Sequence, residues 1–350
     1  MCQRRNRLRN RLDTRRDATL ADVAAFVGVS ESTASRALNG REGLSDETRA
    51  AVIEAADALR FEPSLLARSL RTRTTWTVGF VVPDVSSPFY ATALRGAQAA
   101  LEQAGYRVML MDSGQAPNGE LAALRTLLNH QVDGLLLSTV GIGAGAFTEL
   151  VSRRGTPCIF FDSRLPCEGA GSVLLDNADG IDRLVGHLVA HGHRRIGLLT
   201  GSLVETSGAQ RLDAFHAAMR RHRLDVPGWY VRGGRWSLGT GRRAAHELLG
   251  ADPRPTAVVA SSVELALGSL LACRDLGLRV PHDLALATFD DAYFAELLDP
   301  PLTAVGYDPS EVGRSAATLL VEAMRDGHAG VRDLTVPVTL VTRRSCGCSA

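Results

Sequence analysis

The chain has 350 residues, a formal net charge of +1, 45% hydrophobic residues and 5% aromatic residues. That length allows two or three domains with sizeable cores, and that composition excludes wholesale disorder and a fibrous fold. No run approaches the ~18 apolar residues of a membrane span, six cysteines do not make a disulfide scaffold, and a net charge of +1 by itself argues against nucleic acid.

The average conceals a split. Residues 1–75 hold 14 arginines and 10 acids, a net of +4, while residues 76–350 hold 25 arginines and 28 acids, a net of −3. All 39 basic residues are arginine, which reads as the signature of a GC-rich genome rather than of function, although arginine is the better fork for phosphate oxygens. Arg4, Arg5, Arg7, Arg9, Arg11, Arg15 and Arg16 face one acid, Asp13. No apolar stretch follows them, so the run does not read as a secretory signal. Residues 1–17 read either as a disordered solubilising tail, as a start codon placed too early, or as a basic arm that touches phosphates.

Thr19 can cap a short helix with an apolar face of Leu20, Val23, Ala24 and Val27. Gly28 stops it and Val29 can plug the turn. Ser30 can cap a second helix, 31–39, whose inner face is Ala34, Ala37 and Leu38 and whose outer face offers Glu31, Ser32, Ser35 and Arg36. A third helix follows Ser45, with Asp46 and Glu47 at its positive end and Val52, Ile53, Ala56 and Leu59 as the buried stripe. Short helices joined by a glycine turn fit a helix-turn-helix, in which the second helix enters the major groove. Small Ser32 and Ser35 allow close approach, Arg36 can reach guanine or phosphate, and Glu31 can accept from cytosine. A small helical bundle that binds protein fits the same pattern.

The strings Thr19-Leu20-Ala21-Asp22-Val23-Ala24, Gly28-Val29-Ser30 and Thr33-Ala34-Ser35-Arg36-Ala37-Leu38-Asn39 resemble the headpiece of the LacI/GalR family of bacterial repressors. The resemblance implies a DNA-binding headpiece over 18–62 and adds Thr19, Thr33 and Asn39 to the DNA-facing positions. Pro63-Ser64-Leu65-Leu66-Ala67-Arg68-Ser69-Leu70 resembles the family's hinge helix, within a hinge and linker of 63–75. That implies DNA contacts from Ala67 and a minor-groove wedge at Leu70, where the cost of unstacking one base step is offset because the kinked duplex meets more protein surface. Ser64 replaces the usual asparagine, which predicts a modest change in hinge stability.

A composition change near Arg71–Thr75 marks a boundary at about residue 75. Beyond it, apolar segments at 77–82, 107–111, 133–138, 157–161, 196–200, 257–261, 284–289 and 302–306 alternate with helical stretches such as 90–104, 120–130, 178–191 and 209–222. Such alternation predicts an α/β fold with doubly wound parallel sheets and ligands beyond the carboxyl ends of the strands. The resemblance continues through Ser87-Pro88-Phe89-Tyr90, Asp176-Asn177, Gly192–Ile196, Gly201, Arg211, Trp236, Phe289-Asp290-Asp291 and Pro301-Leu302-Thr303. It implies a periplasmic-binding-protein-like core over 76–350 with three crossovers. One lobe would hold about 76–175 and 309–336, the other about 176–305 and the strand 338–343.

Phe89, Tyr90 and Trp236 can stack on a flat ligand, Asp162, Asp176 and Asp290 can accept from hydroxyls, and Arg164 and Arg211 can donate in pairs. The resemblance implies effector contacts from Phe89, Tyr90, Asp162, Arg211, Trp236 and Asp290. Ser262-Val263 replaces the family's Asn-Asp, and Tyr307 stands where many members have an amide. Both positions bear on which effector fits. Locally, an aspartate after a strand can instead cap the next helix, and Trp236 can belong to a core.

Other signals carry less. Gly141-Ile142-Gly143-Ala144-Gly145 has the wrong spacing for a dinucleotide site. His187 and His191 lie four apart without the glutamate of a zinc protease, and Cys346 and Cys348 lack a second cysteine pair, so no metal or other cofactor is expected. No G-x-S-x-G elbow or other catalytic constellation occurs, so an enzyme is not expected. A solute-binding protein would share the core but need an export signal and no headpiece. The expectation is a cytoplasmic, nucleoid-associated, ligand-responsive repressor without membrane contact. Its partners would be double-stranded operator DNA and a small effector, a sugar first and a nucleoside or purine second. The chain stops at Ala350 without a further heptad helix, which predicts a homodimer.

Overall fold

The computed structural model describes residues 18–40, 43–61, 74–326 and 332–348. The basic arm and the hinge positions Ala67 and Leu70 lie outside the described residues. Two compact units divide between Thr75 and Trp76.

The first unit contains helices α1 (Leu20–Val27), α2 (Glu31–Leu38) and α3 (Asp46–Ala58). Local capping sets each start. Thr19 and Asp22 form a reciprocal capping box on α1, and Ser30 and Ser45 accept from the backbone N–H groups of Thr33 and Thr48. Gly28 ends α1 in the left-handed region (φ 82°), and its N–H donates to the Ala24 carbonyl. The helices share a core of Val23, Ala24, Ala34, Ala37, Val52, Ala55 and Ala56. Ile53, expected in the buried stripe, is 45% exposed. The inward stripe of α3 runs 52, 55, 56 and 59, and Ile53 lies one residue round the helix from it.

The second unit is a pair of six-stranded α/β lobes. In chain order they are built from β1 (Thr77–Val82), α4 (Pro88–Gln103), β2 (Arg107–Asp112), α5 (Pro117–Asn129), β3 (Gly134–Leu137), α6 (Ala144–Leu150), β4 (Cys158–Phe161), β5 (Gly171–Leu175), α7 (Asn177–Ala190), β6 (Ile196–Thr200), α8 (Thr206–Arg221), β7 (Val231–Gly233), α9 (Leu238–Leu249), β8 (Ala257–Ala260), α10 (Val263–Asp275), β9 (Ala285–Phe289), β10 (Thr303–Gly306), α11 (Pro309–Arg325), β11 (Asp333–Val336) and β12 (Thr339–Val341). One sheet has the order β11-β5-β4-β3-β1-β2 and the other β12-β10-β9-β8-β6-β7. All pairings are parallel except β10 with β12. The chain therefore changes sheets three times: after β5, after β10 and after β11. Central strands such as β3 and β8 are apolar and buried throughout, as expected when helices cover both faces. Each fully buried leucine, valine or phenylalanine there contributes about 1.5–3 kcal/mol.

Three strands escape a pattern reading. β7 is three half-buried residues at a sheet edge. β11 is an exposed edge strand beginning with Asp333. β5 is buried but follows a glycine-rich turn that masks its start. No helix among the described residues is long and apolar enough to cross a membrane.

Candidate functional site

The parallel strands of both lobes point their carboxyl ends at one cleft, with an empty volume of about 780 Å³ that is partly open to solvent. Residues just past β1, β2, β4, β8, β9 and β10 reach it: Asp84, Gln115, Asp162, Ser262, Asp290 and Tyr307. Phe89 and Tyr90 come from the first turn of α4, Arg211 from α8, and Trp236 from the segment before α9.

Asp162 and Asp290 occupy corresponding places, each just beyond the third strand of its sheet. Both have left-handed backbone conformations, φ 60° and φ 74°, which aspartate tolerates better than most residues. The Tyr90 hydroxyl donates to Asp162 at 2.8 Å, and the Tyr307 hydroxyl donates to Asp290 at 2.5 Å. Burial pushes the Asp162 carboxyl up to about 6, against the opposing pull of the Arg211 guanidinium and the Tyr90 hydrogen bond.

Arg211 is buried in the same cleft lining. Its Nε donates to Asn177 Oδ1 at 2.8 Å, and its Nη1 donates to the Ser261 carbonyl at 2.5 Å. Its guanidinium carbon sits 3.7 Å from the Phe289 ring centroid and 5.7 Å from that of Trp236. Two protein acceptors and an aromatic face fix the fork, which leaves its remaining N–H groups for a ligand.

Trp236 is held from behind. A Cβ on Gly201 would stand 2.1 Å from the indole, so only glycine allows the ring to rest there. The indole N–H donates to Glu205 Oε2 at 2.9 Å. Burial, then the neighbouring Asp162, raise the Glu205 carboxyl to about 8, so it is protonated at neutral pH. An acid whose folded pKa is raised gives stability that is complete below its ordinary value of 4.5 and is lost as pH climbs to about 8. Glu205→Gln is therefore expected to flatten the fall in stability between these two pH values. Chemical denaturation of both proteins across this range checks it; parallel curves would show that Glu205 does not titrate there.

Direct contacts join the lobes around the cleft. Gln115 Nε2 donates to the Trp236 carbonyl at 3.2 Å, and Arg235 donates to the Gly114 carbonyl at 2.7 Å. Ser87 donates to Glu264 at 3.1 Å, and the Thr206 N–H donates to Ser163 Oγ at 3.0 Å.

Eight of the ten residues singled out as effector contacts line this cleft: Phe89, Tyr90, Asp162, Arg211, Trp236, Ser262, Asp290 and Tyr307. Arg164 and Asp176 do not. Arg164 turns to the sheet edge, where Asp333 of the unforeseen strand β11 accepts its Nη1 at 2.5 Å. Asp176 caps α7 by accepting from the Asp179 N–H at 2.9 Å, and its neighbour Asn177 holds Arg211 instead. Ser262 caps α10, accepting weakly from the Leu265 N–H at 3.4 Å. The cleft also contains Asp84, Gln115, Ser207, Glu264 and Phe294. The first two follow strand ends directly, so the strand-end rule extended to every strand would have found them.

In the first unit, Glu31, Ser32 and Arg36 are exposed on α2, with Ser35 half-buried beside them. Thr33 is shared with the cap, its hydroxyl 2.8 Å from Ser30 Oγ. Thr19 is engaged with Asp22 at 2.6 Å, and Asn39 Nδ2 donates back to the Ser35 carbonyl at 2.6 Å.

Comparison with known proteins bears on both units. Residues 19–64 match the family described as bacterial regulatory proteins, lacI family. Residues 185–346 match the periplasmic binding protein-like domain. The ribose operon repressor of Haemophilus influenzae is 31% identical over 329 residues, covering 94% of this chain and 98% of the relative. The lac repressor dimer bound to operator and the anti-inducer ONPF superposes with a TM-score of 0.84 at 26% identity, covering 95% of this chain and 99% of that one. The complex of the transcriptional regulator CelR with cellobiose superposes with a TM-score of 0.72 at 30% identity, covering 94% and 99%. A helix-turn-helix ahead of two doubly wound lobes, aligned with a repressor over nearly its whole length, places the chain in the lacI family of bacterial regulatory proteins, as a transcriptional repressor.

Proposed function

We propose that this repressor binds operator DNA as a homodimer through α2, with its affinity set by a neutral sugar held in the cleft. One observation carries the sugar reading. Asp84, Asp162, Asp290 and Glu264 line the cleft beside aromatic rings, with Arg211 as the sole basic side chain among the described residues of its lining. Carboxylates accept from hydroxyl donors, and rings pack on the apolar face of a pyranose or furanose. This acidic balance disfavours a phosphorylated effector. The CelR relative, solved with cellobiose, supports the same chemistry.

Two α2 helices, one per subunit, would occupy successive major grooves of a pseudo-palindromic site about 34–36 Å apart, as the dimeric, operator-bound lac repressor relative suggests. Effector and operator would then be coupled reciprocally through the lobes. Thermal-shift screening of the full-length protein against pentoses, hexoses, disaccharides and nucleosides tests the effector. A cognate sugar at a hundredfold excess over Kd adds about 2.7 kcal/mol, an upward Tm shift of several degrees. The same sugar should change the operator's gel-shift midpoint. A shift with nucleosides alone would replace the sugar reading.

A further inference from the structure

The last turn of α7 carries His187, and His191 follows one turn on, with ring centroids 4.4 Å apart. The chain's final segment comes back to these rings. Cys346 ends a short 3-10 turn, and Gly347 then takes a left-handed conformation (φ 87°, ψ 7°) that brings Cys348 to the same side. Both sulfurs lie 3.2 Å from His187 Nε2, and Cys348 Sγ lies 3.2 Å from His191 Nε2. The ligand atoms of His187, His191 and Cys348 are all within 4.8 Å of one another.

The protonation pattern suits a metal. His191 Nδ1 lies 2.9 Å from the His187 carbonyl. Only an N–H can face a carbonyl, so the neutral tautomer of His191 presents its Nε2 lone pair toward Cys348. Cys346 is buried, and its thiol donates to the Arg343 carbonyl at 3.1 Å; the Thr303 hydroxyl, which faces both that carbonyl at 2.9 Å and the sulfur at 3.1 Å, can turn to the sulfur once the thiol proton leaves.

We propose that His187, His191 and Cys348 form the core of a tetrahedral zinc site, which Cys346, with its sulfur 3.2 Å from His187 Nε2, completes by shifting toward the other ligands. Zinc bonds of about 2.3 Å to sulfur and 2.0–2.1 Å to nitrogen place neighbouring N and S ligands about 3.5 Å apart, so the observed 3.2 Å contacts need to open by only a few tenths of an ångström, while the Cys346 sulfur, outside the group of atoms within 4.8 Å of one another, has further to move. Two thiolates with two imidazoles favour zinc over the oxygen-seeking calcium and magnesium. The two thiolates neutralise the ion's double charge, and binding releases two thiol protons to solvent. The sequence offers the histidine pair and the cysteine pair separately, 155 residues apart from His191 to Cys346; the fold joins them. The site lies ten residues along α7 from Asn177, about 15 Å of helix, so it is remote from the Arg211 cleft. The ion would fasten the chain's last segment to the first helix of the second lobe.

Metal analysis of the full-length protein, reduced, loaded with zinc and gel-filtered, tests this. We expect one zinc per chain. Cobalt in its place should give a thiolate-to-metal charge-transfer band and the intense visible bands of tetrahedral coordination. His191→Gln, at an exposed position, should stay folded by circular dichroism yet lose the zinc and the cobalt spectrum. Chelator should lower the Tm of the parent protein but not of that variant. Reduced protein that binds neither metal would overturn the proposal. So would full zinc retention in the double variant Cys346→Ser/Cys348→Ser.

Discussion

Arg211→Ala is expected to abolish the effector response while operator binding persists. Arg211 is 3% exposed, and the Asn177 amide and the Ser261 carbonyl hold it. A guanidinium fixed in this way spends little entropy on meeting a ligand, so most of each bond it makes counts toward affinity. At about 1.5–3 kcal/mol per hydrogen bond to a charged group, losing two weakens effector binding by at least about 10²-fold. The loss also removes the positive charge that restrains Asp162, so its carboxyl should rise beyond about 6 and accept less well from a hydroxyl near neutral pH. Arg211→Lys should rescue little, because one ammonium cannot serve the separated acceptors of the fork. Titration calorimetry with the effector and gel shifts with operator separate the two functions. An unchanged effector concentration for half-response would mean that the ligand binds elsewhere.

How far the sequence foretold this site depended on how local the cause was. Caps at Thr19, Ser30 and Ser45 were legible because each uses a partner three residues away. Buried strands such as β1 and β6 were legible because their apolar runs are continuous. Asp162 and Asp290 stood at strand ends, where parallel sheets bind ligands. Arg164 misled because its partner, Asp333, sits on an exposed edge strand with no alternating pattern. Asp176 misled because a strand-end aspartate that caps the next helix looks the same in sequence as one that faces a ligand. Glu205 gave no signal at all. Its protonation depends on burial and on Asp162, and its role depends on an indole 31 residues away. The histidine and cysteine pairs show the same limit, since neither pair has meaning until the final segment packs on α7.

Arg36→Ala is expected to remove specific operator binding and leave effector binding intact. Ala34 and Ala37 are the buried residues of α2, and Arg36 is exposed on the opposite side. Arg36 is exposed and outside the headpiece core, so the variant is expected to stay folded, which an unchanged circular dichroism spectrum and melting curve check. Arg36 is the longest side chain on that face, beside the small Ser32 and Ser35, which let the helix backbone come close to the groove. A bidentate contact to guanine is worth about 1–3 kcal/mol, and in a dimer it is lost at both half-sites, so the penalty doubles to about 2–6 kcal/mol, roughly 30-fold or more. The salt dependence distinguishes the contact type. If Arg36 reads a base, binding to the cognate site weakens and nonspecific binding hardly changes. If it meets a phosphate, both weaken together and the slope of log affinity against log salt falls by about 1 per subunit. Gel shifts on cognate and scrambled duplexes at several salt concentrations decide between the two. Full operator affinity in the variant would move the reading surface off α2 altogether.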